Sequence, residues 1–218
     1  MHYLNESAQA EEGGPTPSTF LCLHGHQGWS YQYRKVIPSL LQAGHRVIAP
    51  DLIGFGKSDK PKKESFHTFA RHRQILLELV ERLDLHHVVL LVQARGDLLG
   101  LSLPLAAPQR YRSLWVMSTA LASQEMTLSG VHPVWGDIQG QKSEFDSIPV
   151  ALYESSQTGP EDAAALQAPF PDPGHRAAPR AFARMGLESE VAEDSALACE
   201  LRHFWRECWT GQILIRPG

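Results

Sequence analysis

At 218 residues the chain suits one domain with room for an insertion, and it is long enough to bury a real core. Hydrophobic and charged contents of 43% and 20% are those of a soluble globular protein, which excludes a disordered or fibrous chain. A net charge of −4 gives no electrostatic reason to expect nucleic acid or a membrane surface as partner.

No N-terminal apolar stretch resembles a signal peptide, and no run approaches the roughly 20 residues needed to span a bilayer. A cytoplasmic chain is the expectation. Three cysteines, Cys22, Cys199 and Cys208, make an odd number without zinc-type spacing, and Cys22 reads as a small buried hydrophobe.

In chain order, His2–Leu4 reads as a short strand and residues 5–18 as a polar loop rich in Gly and Pro. Phe20–Leu23 is a buried strand running into His24-Gly25. Ser30 is the expected N-cap of a helix over 31–43, with Tyr33, Val36, Ile37, Leu40 and Leu41 on one face, Gly44 as its stop, and a kink at Pro38. Val47–Ala49 is the next strand, followed by the loop PDLIGFGKSDKP (50–61). Ile75, Leu76, Leu79, Val80 and Leu83 predict a helix over about 68–83. Then come strand 88–92, a helix over roughly 95–107 that must bend or end early at Pro104, and strand Leu114–Ser118.

Strands that are apolar throughout, alternating with helices, predict a parallel sheet covered on both faces. The alternation stops near residue 121. Residues 122–205 are polar and rich in Pro, Ala and Gly, with helical fragments, and read as an insertion; GQILI (211–215) is one more strand.

The run VVLLVQARGDLLG (88–100) is a strand, a Gly-containing corner and a leucine-rich helix. Such a corner lifts a nucleophile clear of the sheet in α/β-hydrolases. The tip falls on Ala94, which has no nucleophile to offer.

Several blocks in order carry a resemblance: HGHQGW (24–29), GHRVIAPDLIGFGKSDKP (44–61), LVQARGDLLG (91–100), APFPD (168–172) and FWRECWTGQ (204–212). Together they resemble the haloalkane dehalogenases. The resemblance implies an α/β fold of the α/β-hydrolase type, with a mostly parallel sheet and an inserted helical cap. It divides the chain into a core of 1–121 and 206–218, incomplete at both ends, and a cap of 122–205.

The family reaction is hydrolysis of a carbon–halogen bond. An Asp at the corner attacks the halogen-bearing carbon to give an alkyl ester, a His activates water to cleave it, and an acid orients the His. Two donors, typically indole N–H groups, hold the halide as charge develops. No cofactor is implied, and the partner implied is a small apolar ligand, halogenated in the family reaction, with no nucleic acid or membrane.

Carried over by position, the family corner Gln-Asp-Trp-Gly-Gly meets Gln93-Ala94-Arg95-Gly96-Asp97. The nucleophile falls on Ala94, the halide-binding Trp on Arg95 and the second Gly on Asp97. His26 takes a position held by Glu or Asn in relatives, Trp29 survives, and Trp135 lies about where the cap supplies a second halide-binding Trp. The acid and the catalytic His would fall past Gly218, and a strand is expected before Met1.

The pocket candidates are therefore His26, Trp29, Arg95 and Trp135, with no intact catalytic group. Three of them have a plain alternative. His26 reads more readily as a hydrogen-bonded turn histidine, while Arg95 reads equally as a partner of Asp97 or a snorkelling cation and Trp135 equally as cap packing. His24 reads as structural, and Trp205 and Trp209 as core. His86-His87 do not read as a metal pair. Asp97 and Ser102 are the alternative nucleophiles. Asp97 sits about 300° around a helix from the tip, and Ser102 lacks a G-x-S-x-G setting and reads as a packed, back-bonded hydroxyl. An incomplete sheet would expose two edges, so edge-mediated self-association is also expected.

Overall fold

The computed structural model describes residues 1–8, 17–25, 28–93, 97–118, 159–185 and 196–217. Six strands, β1 (Tyr3–Ser7), β2 (Thr19–Leu23), β3 (Arg46–Pro50), β4 (Val88–Gln93), β5 (Tyr111–Ser118) and β6 (Gln212–Pro217), form one sheet in the order β1-β3-β2-β4-β5-β6. Only β1 runs antiparallel, pairing with β3 from Tyr3–Pro50 to Ser7–Arg46. The β2–β3, β2–β4, β4–β5 and β5–β6 pairs are parallel. The fold is α/β, with a mostly parallel sheet flanked by helices.

The inner strands are buried on both sides, so alternate residues feed two apolar layers. Phe20, Cys22, Val47, Ala49, Val89 and Leu91 pack with Tyr33, Ile37 and Leu40. Leu21, Leu23, Ile48, Leu90 and Val92 pack on the other face with Leu76, Leu79, Val80, Leu99 and Leu103. Continuous apolar runs in β2 and β4 are the sequence signature of that double burial.

Several sequence expectations need correction. Residues 5–7 belong to β1 rather than to a loop; an edge strand needs no apolar alternation when its side chains face water, and Asn5, Glu6 and Ser7 are exposed. The helix expected over 31–43 is a 3₁₀ turn at Ser30–Tyr33 followed by α1 (Ile37–Gln42). Pro38 sits in the first turn of α1, where its missing N–H costs nothing, so the helix restarts instead of kinking. Ser30 is not a side-chain cap; its backbone N–H donates to Asp51 Oδ1 at 2.8 Å. Gly44 does stop the helix, at φ +83°.

The same logic splits the expected 95–107 helix. It becomes α3 (Asp97–Leu101) and α4 (Leu103–Ala106), with Pro104 in the first turn of α4. α2 (Phe69–Arg82) begins at Thr68, whose hydroxyl accepts the Arg71 N–H at 3.2 Å. Its buried face is Phe69, His72, Leu76, Leu79 and Val80, so a histidine occupies a position that the apolar stripe does not include.

Three further helices follow: α5 (Pro160–Gln167), α6 (Ala177–Met185) and α7 (Ala196–His203), the last continuing as a π-helical turn at Phe204–Cys208. Phe170, Ala178, Leu201, Phe204 and Trp205 join the layer formed by β2, β4 and α2. Trp205 is core as expected, its indole N–H reaching the Leu101 carbonyl at 3.2 Å, and Trp209 packs against it at a tilt, with ring centres 4.9 Å apart. β6 closes the sheet opposite β1 and leaves Ile213 and Leu214 exposed.

Candidate active site

The chain leaves β2 for β3 on one side and later enters β4 on the other side of β2. That reversal of strand order beside β2 is the place where open α/β sheets put their ligand crevice, outside the C-terminal ends of the strands. Two described segments lie at that end of the sheet: His24-Gly25 after β2 and residues 51–58 after β3.

His24 is fully buried and neutral, and its tautomer follows from its partners. Nε2 accepts the Leu52 N–H at 3.0 Å, so the ring proton is on Nδ1, which donates to the Gly25 carbonyl at 2.8 Å. Burial lowers its pKa, with the Gly25 hydrogen bond and Asp51 opposing. The ring lies 5.2 Å from that of Phe55. His24 thus joins the β2 turn to the β3 loop, a structural role.

Asp51 is the residue that sequence reasoning missed. Completely buried, it takes the Ser30 N–H on Oδ1 at 2.8 Å, and on Oδ2 the Lys57 N–H at 2.9 Å and the His2 Nδ1 at 2.7 Å. Its backbone carbonyl accepts the Ser58 hydroxyl at 2.5 Å. Gly56, at φ +47°, brings its backbone against this carboxylate, leaving no room for a Cβ. Asp51 with two nearby glycines is a signal that could have been read, since a buried carboxylate needs backbone donors and tight turns present them.

The sequence-predicted pocket residues are only partly placed. Trp29 is half-buried beside the His-Gly turn. Its indole N–H donates to the Ala165 carbonyl of α5 at 3.2 Å, and its ring stacks on Tyr31 at 5.4 Å. Tyr31 donates to Asp162 at 3.0 Å, Arg34 pairs with Asp162, and the Arg34 guanidinium lies 4.3 Å over the Tyr31 ring. Trp29 and Tyr31 therefore brace α5 over the end of β2. His26, Ala94, Arg95 and Trp135 lie outside the described residues.

The frame of the corner is described. β4 ends at Gln93, in register with Met117, and α3 begins at Asp97, which leaves three residues between strand and helix. α3 lies close on β4, since a Cβ on Gly100 would come within 2.5 Å of Val92 Cγ1. Ser102 is fully buried, and its hydroxyl donates to the Leu99 carbonyl at 2.7 Å, the back-bonded arrangement expected for it. His86 bonds Asp84 at 2.9 Å and Arg110 at 3.1 Å. Among the described residues no cluster of His, Cys, Asp and Glu could hold a metal, and no helix is long and apolar enough to cross a membrane.

This architecture has matches among known proteins. The family model of the alpha/beta hydrolase fold matches residues 18–157. The tetrameric structure of haloalkane dehalogenase DpaA from Paraglaciecola agarilytica NO2 is 35% identical, with a TM-score of 0.77 over 98% of this chain and 70% of that one. The chain belongs to the haloalkane dehalogenase family. The haloalkane dehalogenase of Psychrobacter cryohalolentis is 35% identical over 184 residues, which are 84% of this chain and 58% of that protein. Haloalkane dehalogenase 1 of Mycobacterium tuberculosis (strain ATCC 25618 / H37Rv) is 38% identical over 164 residues, 75% of this chain and 55% of that protein. This dehalogenase relative thus spans just over half the length of the curated relatives it matches. The dehalogenase DatA from Agrobacterium tumefaciens C58 shares the fold at 21% identity, with a TM-score of 0.65 over 98% of this chain and 78% of that one.

Proposed function

We propose that this chain is a haloalkane-dehalogenase-like protein that keeps the family scaffold and does not perform the family reaction at a useful rate. One observation carries the reading: the residue following the end of β4 at Gln93 is Ala94, where the resemblance puts the attacking carboxylate. A methyl group cannot attack carbon, and loss of a nucleophile from a unit of cooperating groups costs about 10⁴- to 10⁶-fold in rate. The neighbours offer no clear substitute. Ser102 is buried with its hydroxyl committed to the Leu99 carbonyl. Asp97 is the first residue of α3, three positions past the tip.

On this reading the retained feature is a small apolar pocket beneath the cap, lined by His26, Trp29, Arg95 and Trp135, which binds a small ligand without converting it. Of these four, Trp29 is the one among the described residues; it stands beside the His-Gly turn with its indole N–H held by the Ala165 carbonyl, so it would serve as a wall and not as a halide donor. Halide release from purified protein on a panel of bromo- and chloroalkanes tests the catalytic half. The expected result is no release beyond buffer and the stoichiometric alkylation of the exposed Cys199 and Cys208. Turnover that survives both Asp97→Ala and Ser102→Ala would mean that a different group attacks.

A further inference from the structure

α6 seats on the core through small residues and one aromatic ring. The Cβ of Ala178 packs so close to Gly54 that a Cβ there would clash with it, and His67 Cε1 would be 2.8 Å from such an atom. Phe182 meets Phe55 edge-on at 5.1 Å and His72 at 4.6 Å. His67 and His72 stack with ring centres 5.3 Å apart. His24 contacts the other side of this seat through Phe55.

The protons on the pair follow from its partners. His67 Nε2 faces the Pro61 carbonyl at 3.0 Å, which can only accept, so the His67 proton is there. His67 Nδ1 is then bare and accepts the Nε2–H of His72 at 3.1 Å. Both rings are neutral in this arrangement. The charged and titratable groups facing them are unhelpful to a cation. The charge of Arg71 disfavours a proton on either ring, and a charged His24 would do the same to His72. From the turn before α2 and from α6, Glu64 is tied to Arg180 at 2.6 Å and to Arg184. Asp51, near His24, is tied to Ser30, Lys57 and His2. No carboxylate is bonded to either ring among the described residues.

We propose that the seat of α6 is an acid-released latch, closed while the His67–His72 pair is neutral and opened when the pair takes up a proton. Burial first, then His67, His24 and Arg71, push His72 down to about 3, and burial chiefly lowers His67. Exposed imidazole titrates near 6.5. The open state therefore binds more protons between those two values, and the latch weakens as pH falls through that window and is indifferent above it. The latch concerns the docking of α6 alone and is independent of whether the corner carries a nucleophile.

Hydrogen exchange of the intact chain, corrected for intrinsic rates, tests this at pH 7, 6 and 5. Opening of the 177–185 peptide should rise by roughly 20-fold from pH 7 to pH 5, for one group titrating as described. Peptides from β2 and β4 should stay within about twofold. In His72→Gln, whose side-chain amide can still donate to His67 Nδ1, the rise should shrink to about threefold or less. The proposal is overturned if wild-type α6 holds its protection to pH 5, if it opens only together with β2 and β4, or if a folded His72→Gln keeps the full pH response. The wild-type comparison decides even if that variant does not fold.

Discussion

Ala94→Asp is expected to release one equivalent of bromide from 1-bromobutane and to keep the butyl group as an ester on its 88–106 peptide. The carboxylate oxygen forms a bond to the terminal carbon while the carbon–bromine bond breaks, and bromide leaves with the electron pair. The scaffold supplies the placement: a parallel strand ending at Gln93 beside β2, and a helix beginning at Asp97. Restoring the attacking group should raise bromide release by about 10³-fold or more over the parent chain, a fraction of the 10⁴- to 10⁶-fold typical of a nucleophile within an intact unit. A single equivalent is expected rather than turnover. His24 and His67 have both ring nitrogens engaged in hydrogen bonds and cannot take a proton from water without losing one. Ion chromatography gives the bromide, and peptide mass gives the ester. No burst from a variant with the parent's circular dichroism would mean that Ala94 is not at the tip.

The second large effect is on stability. Asp51→Asn is expected to cost about 2–3 kcal/mol, although it preserves volume. The carboxylate receives three donors, the Ser30 N–H, the Lys57 N–H and the His2 ring. An amide has one acceptor oxygen, so either orientation sets its NH₂ group against a donor in a fully buried site. Gly56 and Ser58 press on the same residue and leave little room to relax. For a domain of this size that cost corresponds to a fall in Tm of about 5–10 °C. Asp59→Asn, on the exposed side of the same loop, should stay within about 0.5 kcal/mol. Urea unfolding of the two variants separates a buried hub from a loop that tolerates any acid change; equal midpoints would contradict the hub.

The sheet was legible because double burial writes itself into sequence. Phe20–Leu23 and Val88–Val92 are apolar without alternation, and a strand with water on one face would not be. β1 was legible only at its start, because an exposed edge places no apolar demand on Asn5, Glu6 or Ser7. The prolines were read correctly as disruptions, but not for their outcome. Pro38 and Pro104 each sit in the first turn of a new helix, since a chain that can break and restart avoids the lost hydrogen bond of an interior proline.

The candidate site divides along the same line. The frame of the corner, β4 and α3, was legible because strand and helix lie next to one another in sequence, whereas residues 94–96 between them lie outside the described residues. Asp51 and His72 were missed because what makes each of them matter is contributed by other segments. Asp51 collects donors from His2, Ser30 and Lys57, and His72 is buried by Phe182 on a helix more than a hundred residues away. His72 sits on the apolar face of α2, but a polar letter there gives no hint of the neutral, stacked partner that makes its burial tolerable.

The most direct test of an inert corner is to incubate the unaltered chain with 1-bromobutane and map every alkylated peptide by mass. Cys199 and Cys208 are exposed and will alkylate regardless, so the informative peptide is 88–106. That peptide should be recovered at its unmodified mass, with no bromide released beyond the cysteine adducts. A butyl ester on Asp97, or on any other side chain between Gln93 and Ser102, would show that the corner still holds a working nucleophile.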